Sequence, residues 1–306
     1  MLSVVISAWN EEQNLPRVVA SVRGLADEIV VVDTESTDKT KLVAKQLGCQ
    51  VFSHPNTGIV EPVRNFSIAK AKGDWVLLLD ADEEVSPALK KHIQKVISEN
   101  KADYFRIPRR NYIFGRWIKS SHWWPDYVYR LFRKGYIVWD SAIHSIPQTR
   151  GLGLDFSSDE DHAIIHHHYS TISQYFERVN RYTDHQLSLL VANGVVFKWQ
   201  YLLQKPAQEF LRQFFSRGGY KEGIHGLALS GLQTFSEMTL YLKLWQHHGF
   251  SDQKVSLPEF GKQASSVIRD YSWWYFEETG KNTFFLLKPF VKIHRRIATF
   301  LCRFLS

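Results

Sequence analysis

The sequence predicts an α/β fold: a mostly parallel sheet covered by helices on both faces, followed by a helical carboxyl-terminal region. Three observations carry this. Four short runs, LSVVISA (2–8), EIVVVD (28–33), CQVFSH (49–54) and DWVLLLD (74–80), are apolar through their centres instead of alternating in polarity. Strands of that kind are buried on both faces. Stretches with helical spacing separate them, and from about residue 171 the helical period takes over.

Each element has a local reason. After the first run, Leu15, Val18, Val19 and Val22 fall on one side of a helix, with Asn14 and Pro16 as its start signal. EIVVVD ends in Asp33, and STDKTKLVAKQLG reads as a helix closed by Gly48. VRNFSIAKAKG is a third helix. SPALKKHIQKVISEN is a fourth, with Ser86 as N-cap and Pro87 at its first position. Residues 101–170 change to short strands rich in aromatics, the mixed or antiparallel part of the same domain. ISQYFERVNRYTDHQLSLLVANG and a stretch over about 204–248 read as helices. Two regions are therefore expected: 1–170, carrying the sheet, and 171–306, helical.

Length and composition narrow the class. The 306 residues suffice for a sizeable core, and 44% hydrophobic with 23% charged residues is ordinary for a folded protein. Two cysteines exclude a disulfide framework and a four-cysteine zinc site. The start, MLSVVISAWNEE, lacks a basic segment and cleavage site, and no run approaches ~20 apolar residues. A cytoplasmic location without a spanning helix is expected. Charge is uneven: residues 1–100 hold 11 Lys/Arg against 14 Asp/Glu, a net of −3, so residues 101–306 carry +10. Such an excess suits an anionic partner or merely a soluble basic surface.

In a parallel sheet ligands bind beyond the carboxyl ends of the strands. Here those ends carry Asn10 and Glu11, Asp33, and the cluster Asp80, Asp82, Glu83, Glu84 in LLLDADEE. Like charges so crowded call for a compensating cation. Hard cations such as Mg²⁺ and Mn²⁺ prefer oxygen ligands and typically take one or two carboxylates plus substrate phosphates. A lone D-x-D is also a common solvated turn. At the end of a fourth parallel strand, facing other acidic strand ends, the metal reading is favoured. Glu83 and Glu84 are expected to serve the start of the following helix.

SVVISAWNEEQNLPRVVASV, EIVVVDTESTDKT and EPVRNFSIAKAKGDWVLLLDADEEVS, in that order and spacing, resemble the family 2 glycosyltransferases of GT-A (Rossmann-like) fold. WWPDYVYRLFRKG and KPAQEFLRQFFSRGGYKEGIHGLALSGLQTFSEMTLYLKLW resemble, more narrowly, bacterial lipopolysaccharide-core, β-1,4-glucosyltransferase-like enzymes. The resemblance implies that residues 1–170 bind a nucleotide sugar and carry the catalytic site, and that Ala8, Asn10 and Glu11 line the nucleotide pocket. It implies that Asp33 accepts a hydrogen bond from a uracil imide, as an acceptor-only carboxylate can; an N-cap or Asx turn is the alternative. Arg64 would approach the diphosphate. Asp80 would contact the ribose or a metal-bound water, with Ala81 beside it, and Asp82 would ligate Mn²⁺ or Mg²⁺ directly.

An inverting transfer needs a general base for the acceptor hydroxyl. The matching position is Asp126, preceded by Pro125 where the family often has Glu. Arg130 and Arg133 would sit near phosphates or an anionic acceptor. His144, in SAIHS where the subgroup reads Val-His-Glu, would be a further metal ligand. His166, His167 and His168 make a poor single metal site, because adjacent strand residues point to opposite faces.

In the tail, Phe290, Ile293, Ile297, Phe300, Leu301 and Phe304 recur at helical spacing, and residues 281–306 hold six Lys/Arg and no Asp/Glu. That pattern fits an interfacial helix on anionic lipid, or one packed on the domain. The expected activity is transfer from a UDP-sugar to a membrane-associated glycan acceptor. A polyprenyl-phosphate sugar synthase, which needs no base, is the nearest rival. A nucleic-acid-binding protein would leave the acidic edge unexplained.

Overall fold

β1 (Leu2–Ala8) lies between β2 (Glu28–Asp33) and β4 (Trp75–Asp80), parallel to both, and β3 (Gln50–Ser53) pairs parallel with β2. The computed structural model describes residues 1–58, 60–120, 123–139 and 146–282. His144 and the basic tail beyond residue 282 lie outside these. Alternate residues of β1 feed two cores. Val4, Ile6 and Ala8 pack with Leu15, Val18, Val19 and Val22 of α1 (Leu15–Val22) and with Leu89 and Ile93 of α4 (Pro87–Glu99). Val5 packs on the other face with Val63 and Ile68 of α3 (Glu61–Lys70). Burial on both faces is what an uninterrupted apolar strand requires, at roughly 1.5–3 kcal/mol per fully buried aliphatic side chain. α2 (Thr40–Gln46) completes the layer.

The helix signals act where the sequence puts them, with one exception. Ser86 caps α4, its hydroxyl accepting from the Leu89 amide at 3.1 Å. Asn14 does not cap α1. Its amide donates instead to Glu11 Oε2 at 2.7 Å.

Beyond β4 the sheet becomes mixed. β8 (Asp126–Arg133) runs antiparallel to β4 and to β6 (Tyr104–Ile113), and β12 (Ile164–Tyr169) runs parallel to β6. The short strands β7 (Arg116–Trp117) and β11 (Gly153–Asp155) also pair with β6. β9 (Ile137–Val138) and β10 (Gln148–Thr149) form a separate pair. The last strand in the order is β5 (Glu83–Glu84), antiparallel to β12. Only Ala81 and Asp82 separate β5 from β4. In a flat sheet the two would stand four strand spacings apart, roughly 19 Å, which exceeds the ~11 Å that three Cα steps can reach. The far edge of the sheet therefore curls back over the end of β4, and it brings β12 to the acidic cluster.

The chain divides into two compact units, Met1–Ser170 and Thr171 onward. The second is helical. A reciprocal cap between Thr171 and Gln174 starts α5 (Ile172–Ala192). α6 (Tyr201–Leu211), α7 (Ile224–His247) and α8 (Leu257–Asn282) follow. The helical stretch expected over about 204–248 comprises α6 and α7, joined by a π-helical turn at Arg212–Ser216 and a 3₁₀ turn at Gly219–Glu222. The break has a steric cause. Gly218 and Gly223 have positive φ, and a Cβ on Gly226 would stand 1.8 Å from the Gly219 carbonyl oxygen. No described helix is long and apolar enough to cross a membrane.

Candidate active site

The carboxyl ends of β1, β2 and β4 meet in register. Asp33 stands opposite Ala8, and Asp80 opposite Ser7 on the other side of β1. The end of β2 is held by two backbone hydrogen bonds, Thr34 N to Ala8 O at 2.9 Å and His54 N to Asp33 O at 3.0 Å. Asp33 is only 3% exposed. Its Oδ2 receives the Ser36 amide at 3.4 Å, while its buried Oδ1 has no donor among the described residues. A buried carboxylate oxygen without a partner is costly unless a ligand supplies the donor.

Ala8 is buried beneath this edge. Asn10 and Glu11 stand at its rim, with polar groups engaged by the loop after β2. Asn10 Oδ1 accepts from the Thr37 amide at 2.8 Å, and the Glu11 amide donates to Thr40 Oγ1 at 2.7 Å. Ala81 lies buried in the core between the two aspartates.

Three arginines compensate the acidic cluster. Arg64, from α3, stands 3.7 Å from Asp80 Oδ1 with its guanidinium over the Trp139 ring. Arg130 Nη2 donates to Asp80 Oδ2 and, at 2.8 Å, to Glu83 Oε1. Arg109 reaches the same Glu83 oxygen at 3.3 Å. Burial alone would raise the Asp80 carboxyl, but Arg130 and Arg64 outweigh it and hold the group below its ordinary range. The Asp80 and Glu83 carboxylates hold the Arg130 guanidinium above its ordinary value although burial opposes this.

Several expectations change here. Glu83 does not serve the start of α4. It is fully buried at the centre of the ion-pair network, its Oε2 accepting the Asp80 amide at 3.0 Å. Glu84 pairs with His167 Nε2 at 3.1 Å. Arg130, 2% exposed, faces carboxylates and not an open phosphate site. Its orientation comes from a one-residue register shift between β6 and β8, which leaves Arg130 without a cross-strand partner and turns it inward. Arg133 lies at the opposite end of β8, paired with Trp75 at the start of β4 and stacked on that ring. Seven residues of strand, about 23 Å, separate it from Asp126, because β8 runs against its neighbours. At that opposite edge Arg133 also lines a polar cavity of about 580 Å³ with Lys72, Asp74, Lys101 and Lys134.

Asp126 opens β8, opposite Arg109 of β6. Every protein donor it meets falls on Oδ2: Arg109 Nε at 2.9 Å, Arg109 Nη2 at 2.7 Å and Asn111 Nδ2 at 3.1 Å. Oδ1 makes no hydrogen bond among the described residues, so it is the oxygen able to take a proton. Asp82 is largely buried on the β4–β5 turn, its Oδ2 3.5 Å from His166 Nε2. The three histidines alternate as strand geometry demands. His166 and His168 lie side by side, ring centres 4.6 Å apart, and His167 points to Glu84. Among the described residues, no three His, Cys, Asp or Glu side chains are grouped as a metal site on their own.

Arg109 and Asn111 escape sequence reasoning. Their one signal is parity: Phe105, Ile107, Arg109, Asn111 and Ile113 share a face of β6, so two polar residues interrupt an otherwise apolar row.

Comparison with known proteins agrees with this layout. The profile described as glycosyl transferase family 2 matches residues 3–162, just over half the chain. An uncharacterised glycosyltransferase of Rickettsia typhi is 30% identical over 255 residues, covering 79% of this chain and 86% of its own. The lipopolysaccharide core biosynthesis glycosyltransferase LpsC of Rhizobium meliloti is 24% identical over 257 residues, 81% of this chain and 93% of its own. A crystal structure of glucosyl-3-phosphoglycerate synthase from Mycobacterium tuberculosis, with Mn²⁺, uridine diphosphate and glucosyl-3-phosphoglycerate bound, is 26% identical. It covers 35% of this chain and 43% of its own, with a TM-score of 0.31, a likeness too partial to bear on this chain's chemistry. By the match across its sheet-bearing unit and by the Rickettsia relative, the chain belongs to glycosyl transferase family 2.

Proposed function

We propose that this enzyme moves a sugar, with inversion, from a UDP-sugar to a hydroxyl of a lipopolysaccharide-core or other membrane-associated glycan. The observation that carries the donor half is the shared edge of Asp33, Asp80 and Asp82, with Asp33 Oδ1 buried and lacking a donor among the described residues. An N–H donor such as a uracil imide would satisfy that atom. The oxygen donors of Asp82 and Asp80 suit Mn²⁺ or Mg²⁺ with diphosphate oxygens completing the shell. Such a cation, when bound, neutralises charge on the diphosphate leaving group. Arg64 adds a fixed positive charge at the same edge.

In the acceptor half, Asp126 Oδ1 takes the proton of the acceptor hydroxyl. The hydroxyl oxygen bonds to the anomeric carbon as the bond from that carbon to the phosphate oxygen breaks, and UDP leaves with the electron pair. LpsC, similar over 81% of this chain, supports the acceptor class.

A panel of nucleotide sugars, with and without Mn²⁺, tests the reading through UDP release and thermal shift. UDP is expected to raise the melting temperature, and Asp33→Ala to abolish most of that rise without lowering the melting temperature of the ligand-free protein. No response to any uridine compound would overturn the donor assignment. The proposal also puts the enzyme on the cytoplasmic face of a membrane, in keeping with the net +10 of residues 101–306. Co-sedimentation with vesicles containing anionic lipid, and none with neutral vesicles, is the expected result; equal behaviour with both would remove the membrane.

A further inference from the structure

Asn111 is fully buried in β6, directly opposite His166 of β12, and every polar atom of its amide is engaged. Nδ2 donates to Asp126 Oδ2 at 3.1 Å and to the Trp123 carbonyl at 2.9 Å. Oδ1 meets His166 Nδ1 at 2.5 Å. The amide has one orientation only, since a flip would set its oxygen against two acceptors. That orientation in turn requires His166 to carry its hydrogen on Nδ1, because Asn111 Oδ1 can only accept. His166 Nε2 is then an acceptor: it meets His168 Nδ1 at 3.3 Å, whereas Asp82 Oδ2, also an acceptor, stands 3.5 Å away without a hydrogen bond to it. His166 is itself 4% exposed, so no bulk water competes for these contacts.

We infer that Asn111 and His166 are positioning residues that hold the Asp126 carboxylate in a single rotamer. The inference rests on the reading of Asp126 as the base. The line Asp126–Asn111–His166 crosses from β8 through β6 to β12. Three N–H groups converge on Asp126 Oδ2, two from Arg109 and one from Asn111, and together they turn Oδ1 outward. Without Asn111 the carboxylate keeps its ion pair to Arg109 but is free to swing about it. Reaction rates fall about 100-fold for misplacements near 1 Å. Neither Asn111 nor His166 touches substrate; each acts through Asp126.

The test compares steady-state rates of Asn111→Leu, His166→Leu and His166→Asn, with Asp126→Asn as background. Asn111→Leu and His166→Leu are expected to lower kcat by about 10- to 100-fold. The donor KM and the UDP-induced thermal shift should stay within about twofold of the parent protein. His166→Asn, whose amide N–H falls close to the position of His Nδ1–H, should recover kcat to within a few-fold. In the Asp126→Asn background, Asn111→Leu should cost nothing further, because a residue acting only through the carboxylate has nothing left to position. An inactive Asp126→Asn variant combined with unimpaired Asn111→Leu and His166→Leu would overturn the relay and leave the base standing. So would losses that add in the double variant, or a His166→Asn variant no better than His166→Leu. A fully active Asp126→Asn variant would remove the base, and the relay with it. If Asn111→Leu does not fold, the two His166 variants decide the matter alone.

Discussion

Asp126→Asn is expected to lower kcat by about 10²- to 10⁴-fold, the range of a lost general base. The substitution is conservative in shape. The asparagine oxygen can occupy the place of Oδ2, accepting from Arg109 and Asn111, and leave an NH₂ group where Oδ1 stood. The fold and the acidic edge should thus survive, while the oxygen proposed to take the acceptor proton is replaced by a group that cannot. The check is kcat and donor KM with soluble protein, beside the melting temperature. A kcat within a few-fold of the parent would sink the assignment and favour a lipid-phosphate acceptor, which is already ionised and needs no base.

The largest effect on stability is expected at Arg130. Its guanidinium is buried against Glu83, which is itself fully buried, and against Asp80. Arg130→Met leaves Glu83 with Arg109 alone at 3.3 Å, and Asp80 with Arg64 at 3.7 Å. Removing one partner of a buried pair costs about 3–5 kcal/mol, because the remaining charge stays desolvated and undercompensated. Denaturant unfolding should show that loss.

The pH dependence supplies a second readout. Burial raises the Asp80 carboxyl, yet Arg130 and Arg64 bring it below its ordinary 3.8. A depressed carboxyl contributes stability that is present above the unfolded value and lost as pH falls through the folded one. For Arg130→Met the folded value rises, so acid unfolding should begin at higher pH. Superimposable acid limbs for the two proteins would show that Arg130 does not set the Asp80 charge.

The acidic edge was legible because it depends on local order. Asp33 and Asp80 each end an apolar strand, and strands in a parallel sheet place their carboxyl ends on one side whatever the details of packing. The same reasoning misjudged Arg133. The sequence of β8 reads alike in either direction, and only its antiparallel pairing with β4 sends Arg133 to the far edge. Arg130 was expected to face phosphate, but the register shift beside Tyr129 turns it onto Asp80 and Glu83. Glu83 was read as part of a helix start because four acidic residues before Ser86 look like one; pairing with β12 takes it into the core instead.

The chain's own order of residues carries the α/β architecture, the start of α4 at Ser86 and Pro87, and the placement of Asp33 and Asp80 at strand ends. Hydrophobic period and capping act within a few residues, so they are written in the chain. Only the packing of strands settles which cations answer those carboxylates and which amide meets Asp126. Arg109 meets Glu83 across 26 positions, Arg130 meets it across 47, and His166 meets Asn111 across 55. Such partners are chosen by strand register, by one bulge and by a sheet edge that curls back over β4. None of these leaves a periodic trace in sequence, because each is a property of two or more strands packed together.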